Sequence, residues 1–89
     1  MPPTIPPEAG LRVDEYGTIR MADSRVTLDV VVRDYLDGAT PEDVAAWYDT
    51  VSVADAYSAI GYYLRHRAEV DDYLAARERK ADDAWRAME

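Results

Sequence analysis

The stretch Gly38-Ala39-Thr40-Pro41-Glu42-Asp43-Val44-Ala45-Ala46-Trp47-Tyr48-Asp49-Thr50-Val51-Ser52-Val53-Ala54-Asp55-Ala56 decides how this chain folds, because it holds two helix starts a short distance apart. Thr40 can cap a helix whose first position takes Pro41, since a proline's missing N–H has no partner there anyway. Glu42 and Asp43 then sit where the helix dipole favours negative charge. Val44, Trp47 and Tyr48 form the apolar side of this helix, which ends near Asp49. The second start is Ser52 as N-cap with Asp55 three residues on, a carboxylate variant of the capping box. Ala56, Ile60, Tyr63 and Leu64 make the inward stripe of the helix it opens. Asp49-Thr50-Val51 between the two is the short linker of a helix-turn-helix.

Upstream, Leu28, Val31, Val32, Tyr35 and Leu36 recur at helical spacing, predicting a helix over 28–37 with Thr27 as N-cap and Gly38 just past its end. Before it, residues 11–21 alternate apolar and polar. Leu11, Val13, Ile19 and Met21 would share one face of a short hairpin that turns near Tyr16-Gly17. Two short strands are marginal alone, so they must pack on helices or on another chain. Residues 1–10 carry four of the five prolines and read as a disordered arm.

Downstream, residues 65–89 lack Gly and Pro and are rich in helix formers. They either continue the preceding helix or begin a fourth after a bend near His66. Val70, Leu74, Arg77, Ala81, Ala84 and Met88 are spaced four and three apart, with Tyr73 and Trp85 beside the stripe. The expected organisation is an arm (1–10), a hairpin with helix-turn-helix (11–66) and a C-terminal partner-binding helix (67–89).

With 89 residues, the chain has one domain and a modest core. It has no cysteine, which rules out disulfides and thiolate metal sites and suits a reducing cytoplasm, the expected location. No apolar run approaches the length needed to span a membrane. Ten Lys and Arg oppose eighteen Asp and Glu, for a net charge of −8. The imbalance runs through both halves, with four Arg against seven acids in 1–38 and six basic residues against eleven acids in 39–89. That balance disfavours non-specific nucleic-acid binding, which depends on neutralising phosphates.

Catalysis is the function class the residues argue against most firmly. His66 is the only histidine, and no nucleophile–base set can be assembled around it without arbitrary choices. Asp71-Asp72 and Asp82-Asp83 lie in helical sequence where neighbours point about 100° apart, so they read as solvated surface. No glycine-rich phosphate loop exists, and no cofactor is expected.

For DNA, the residues that a helix-turn-helix would present to a groove are Val53, Ala54, Asp55, Tyr57 and Ser58. None is Arg, Lys, Asn or Gln, the usual base readers. The same residues serve equally well a three-helix unit that touches no DNA. Arg12, Arg20 and Arg25 in the strand region are the better DNA candidates, with Tyr57 and Ser58 as contacts from the helix. Seven Tyr and two Trp supply all the aromatic packing. Tyr63 and Trp47 are expected in the core, whereas Trp85 and Met88 lie beyond any obvious one. Val70, Tyr73, Leu74, Arg77, Ala81, Trp85 and Met88 therefore form a candidate surface for a partner groove.

Arg25-Val26-Thr27-Leu28, Gly38-Ala39-Thr40-Pro41-Glu42-Asp43-Val44, Tyr48, Val53-Ala54-Asp55-Ala56-Tyr57 and the run from Tyr62 to Leu74 occur in one order and spacing. Over about residues 18–77 the chain resembles the prokaryotic family catalogued as domain of unknown function 433, the VapB-like antitoxins. The resemblance implies a mainly α fold: a short N-terminal β-hairpin, a homeodomain-like helix-turn-helix of three helices, and a C-terminal amphipathic helix. It also implies a dimeric antitoxin that binds operator DNA and neutralises a PIN-like ribonuclease toxin. A stand-alone helix-turn-helix regulator and a protein–protein adaptor without DNA binding are the alternatives. A homodimer is expected because the hairpin and the aromatic surface exceed what one small domain can bury.

Overall fold

A computed structural model describes residues 5, 6 and 9–87. The chain is mainly helical, with two short strands ahead of four helices: β1 Leu11–Val13, β2 Ile19–Met21, α1 Leu28–Leu36, α2 Pro41–Trp47, α3 Val53–Arg65 and α4 Arg67–Ala87.

The hairpin pairs Leu11 with Met21, Arg12 with Arg20 and Val13 with Ile19. Its turn is organised by Asp14, whose Oδ1 accepts the N–H groups of Tyr16 (2.9 Å) and Thr18 (3.0 Å). Gly17 supplies the positive φ (79°) the turn requires. Leu11, Ile19 and Met21 face the core as expected. Val13, at the end of its strand, is exposed instead.

Each helix begins where its cap residue stands. Thr27 accepts from the N–H of Val30, Thr40 from Asp43 and Ser52 from Asp55. The reciprocal carboxylate bond that completes a capping box is made by Asp43, at α2, while the sequence had pointed to Asp55. α1 ends in a Schellman arrangement: Gly38 at φ 105° donates to the Tyr35 carbonyl and Ala39 to that of Asp34. At His66 (φ −128°, ψ 39°) the backbone leaves helical geometry, so α4 is a separate helix after a bend.

α3 packs across α1 and α2, and β2 lies against α1. Ile19, Leu28, Val31, Val44, Ala56, Ala59 and Val70 are fully enclosed between these elements. Each buried aliphatic side chain of Val or Leu size contributes about 1.5–3 kcal/mol, which this small core needs. The N-terminal segment joins it. Ile5 packs on the core and Ala9 is buried, so the disordered arm expected for 1–10 does not describe Ile5, Pro6, Ala9 or Gly10. Residues 1–4, 7 and 8 of that arm lie outside the described residues.

Three expected core residues face solvent instead. Leu36 falls at the edge of the α1 stripe, where the chain turns away at Gly38, and is exposed. Trp47 is the last residue of a two-turn helix whose inward place is filled by Val44, and it is 59% exposed. Leu64 closes α3 on its outer side, and Tyr62 and Tyr63 take the buried positions there.

Candidate partner-binding surfaces

The three arginines of the strand region prove unequal. Arg12 donates from Nε to the Ala22 carbonyl (2.8 Å) and from an Nη to that of Ser24 (3.1 Å). Arg20 pairs with Asp14 (2.9 Å) and donates to the Arg25 carbonyl (2.7 Å). Both therefore brace the loop 22–25, and the hydrogen bond to Arg20 holds the Asp14 carboxyl below its ordinary pKa, aided by the Thr18 N–H. Ser24 is buried and ties the same loop to the helix-turn-helix through Thr50 Oγ1 (2.6 Å). Arg25 is exposed, and among the described residues neither an ion pair nor a side-chain hydrogen bond holds its guanidinium. Of the arginines expected at a phosphate, only this one is uncommitted.

On α3, Tyr57 is exposed and donates its hydroxyl to Glu42 on α2. That bond raises the Tyr57 pKa and lowers that of Glu42. Ser58 is half-buried, and both residues line a shallow groove of about 340 Å³ with Pro6, Ala9, Gly61 and Arg65. The surroundings are acidic. Between Arg33 and Arg65 the chain holds Asp34, Asp37, Glu42, Asp43, Asp49 and Asp55 and no Lys or Arg. Until Arg65 at the last position of α3, every charge of the α2–turn–α3 unit would thus repel a phosphate backbone. The interval was readable in the sequence, but charge counted over whole halves of the chain conceals it.

The C-terminal stripe divides in two. Val70 is fully buried, and Tyr73 is nearly so, accepting the N–H of Ile19 on its hydroxyl at 2.7 Å. Burial raises the Tyr73 pKa against the opposing effect of that hydrogen bond. Leu74 packs on the core. Arg77 pairs with Asp29 (2.8 Å), donates to Thr18 Oγ1 (3.0 Å) and lies over the Tyr73 ring. Burial opposes the charge on Arg77, but the hydrogen bond and charge of Asp29 prevail. These four residues dock α4 on its own body, which corrects the expectation that the stripe had no intramolecular partner. The cause is the bend at His66, which folds the start of α4 back over the hairpin.

Beyond Arg77 the helix leaves the core. Residues 78–87 are exposed throughout, and Trp85 is 66% exposed. At 1.5 Å per residue the twenty-one-residue helix is about 32 Å long, against a longest molecular dimension of 40 Å. Where α4 departs, an open groove of about 570 Å³ lies against α1, lined by Val32, Leu36, Leu74 and Ala81 and edged by Arg33 and Glu78. Leu36, read from the sequence as core, is thus part of a surface. Ala81 and Trp85 continue its apolar line along α4; Met88, the last residue expected on it, lies outside the described residues.

Among the described residues no group of His, Asp and Glu is placed to hold a metal ion. No described helix is long and apolar enough to cross a membrane. A family model described as "Protein of unknown function (DUF433)" matches residues 16–63, from the hairpin turn through most of α3 and over more than half of the chain. No curated protein and no solved structure matches.

Proposed function

The chain belongs to the DUF433 family, and from that premise we propose that it is an antitoxin whose docking element is the outer half of α4. The observation that carries this reading is the exposed segment 78–87, with Trp85 unburied on the line of the α1–α4 groove. An amphipathic helix in a partner's groove is a recurrent mode of recognition, and exposed Trp and Arg side chains are its usual anchors. Arg79, Lys80 and Arg86 have no ion pair among the described residues. A PIN-like ribonuclease, the toxin class implied by the resemblance, has an acidic metal site that such cations would occupy in competition with the metal.

The test is co-purification with the adjacent gene product. The full chain should retain and inhibit it, and a chain ending at Lys80 should not. A shortened chain that still inhibits at the same stoichiometry would refute the assignment of the docking element.

Autoregulation through operator DNA is the second part of the proposal, and Arg25 supports it as the uncommitted cation of its loop. Arg25→Ala should lower operator affinity and reduce its salt dependence by about one phosphate contact. Operator binding without any toxin partner would favour the stand-alone regulator, and a toxin-independent protein partner without operator binding would favour the adaptor.

A further inference from the structure

We propose that the outer face of α3 is the two-fold interface of a homodimer, with Gly61 at its centre. At 100° per residue, Val53, Tyr57 and Leu64 fall within about 40° of one another on this helix. They are 46%, 52% and 46% exposed, so the helix presents an apolar line away from its own core. Gly61 lies beside that line, and among the described residues a Cβ built there meets nothing within 4 Å. A second backbone can approach closely at that point.

Charge selects the occupant. The N-terminal end of the face carries Glu42, held against Tyr57 by their hydrogen bond. The C-terminal end carries Arg65, which has no ion pair among the described residues. A two-fold axis through Gly61 relates positions whose numbers are equally spaced on either side of it. Tyr57 and its Glu42 then meet Arg65 of the second copy, and Ser58 meets Leu64. The groove beside Ser58 and Gly61, lined also by Pro6 and Ala9, receives that leucine. Each contact occurs twice, as an isologous interface demands. DNA is a poor occupant of the same face, because no cation lies between Arg33 and Arg65. The docking half of α4 takes no part, so the dimer and partner binding are separable.

Sedimentation of the full chain at about 100 µM should show a dimer, the weak association expected of an interface centred on one helix. Gly61→Glu should give a monomer with undiminished helix content, because among the described residues nothing in its own subunit lies within 4 Å of the added Cβ. Arg65→Glu and Glu42→Arg should each weaken the dimer about fivefold or more, and the double variant should recover it by restoring the pair with reversed sign. A chain ending at Lys80 should remain dimeric. A wild-type monomer at that concentration would overturn the proposal. So would a dimer that survives Gly61→Glu, a charge reversal that fails to recover association, or loss of the dimer on removal of residues 81–89.

Discussion

Tyr73→Phe isolates one hydrogen bond that joins α4 to the hairpin across 54 residues of chain. The ring and its packing remain, so no cavity forms. What is lost is the acceptor, 2.7 Å from the Ile19 N–H, at a strand residue whose relative exposure is 0%. Leaving a buried donor unpaired costs about 1–3 kcal/mol. In a domain of this size that corresponds to a fall in Tm of roughly 4–8 °C for each kcal/mol. Urea denaturation should report the change as a lower midpoint with an unchanged slope, since the folded area is the same. Amide exchange at Ile19 should accelerate as well. Tyr16→Phe is the control, because Tyr16 is 82% exposed. The reasoning fails if Tyr73→Phe and Tyr16→Phe are indistinguishable in midpoint, or if Ile19 exchange is unaltered.

Gly38→Ala should cost about 1–2 kcal/mol in thermal or urea denaturation, because φ 105° is strained for any residue with a Cβ, although no described residue lies within 4 Å of the added Cβ. A chain ending at Lys80 should unfold at the same urea midpoint as the full chain, since residues 81–87 are exposed; a chain ending before Val70 should be strongly destabilised, having lost Val70 and Tyr73 from the core. The depressed pKa of Asp14 means that its ionised form stabilises the fold above the ordinary value of 3.8, and that this contribution is lost as pH falls through the lower folded value. An acid titration of Asp14→Asn should accordingly show a shallower loss of stability in that window, and an unchanged slope would count against the turn network.

The helix-turn-helix was legible because its boundaries are local. Thr40-Pro41 and Ser52 cap helices through atoms three residues away, and Gly38 ends one through its own φ. What sequence periodicity could not reveal was which side of a helix another element would reach. The α4 stripe is continuous from Val70 to Trp85, yet the bend at His66 lays only its first half on Ile19 and Asp29. Leu36 and Leu64 carry the same spacing signal as their buried neighbours and differ only in lying at the edge of a contact. Arg12 looks available in the sequence because its acceptors are the Ala22 and Ser24 carbonyls, which leave no trace there; Arg20 is held by one such carbonyl and by Asp14, which only the hairpin turn brings beside it. The base-free interval from 34 to 64 did leave one, and it is the signal that most alters the functional reading of α3.

The proposed docking role of α4 can be read through its own chromophore. The chain has two tryptophans, so Trp47→Phe leaves Trp85 as its only indole. Trp85 is 66% exposed in the free chain, and its emission should be that of a solvated indole. Titrating this variant with a tryptophan-free form of the proposed toxin partner should shift the emission to the blue and quench-protect the ring, with saturation at the stoichiometry of inhibition. A partner that binds and is inhibited at full strength while the Trp85 emission stays that of solvated indole would contradict the account.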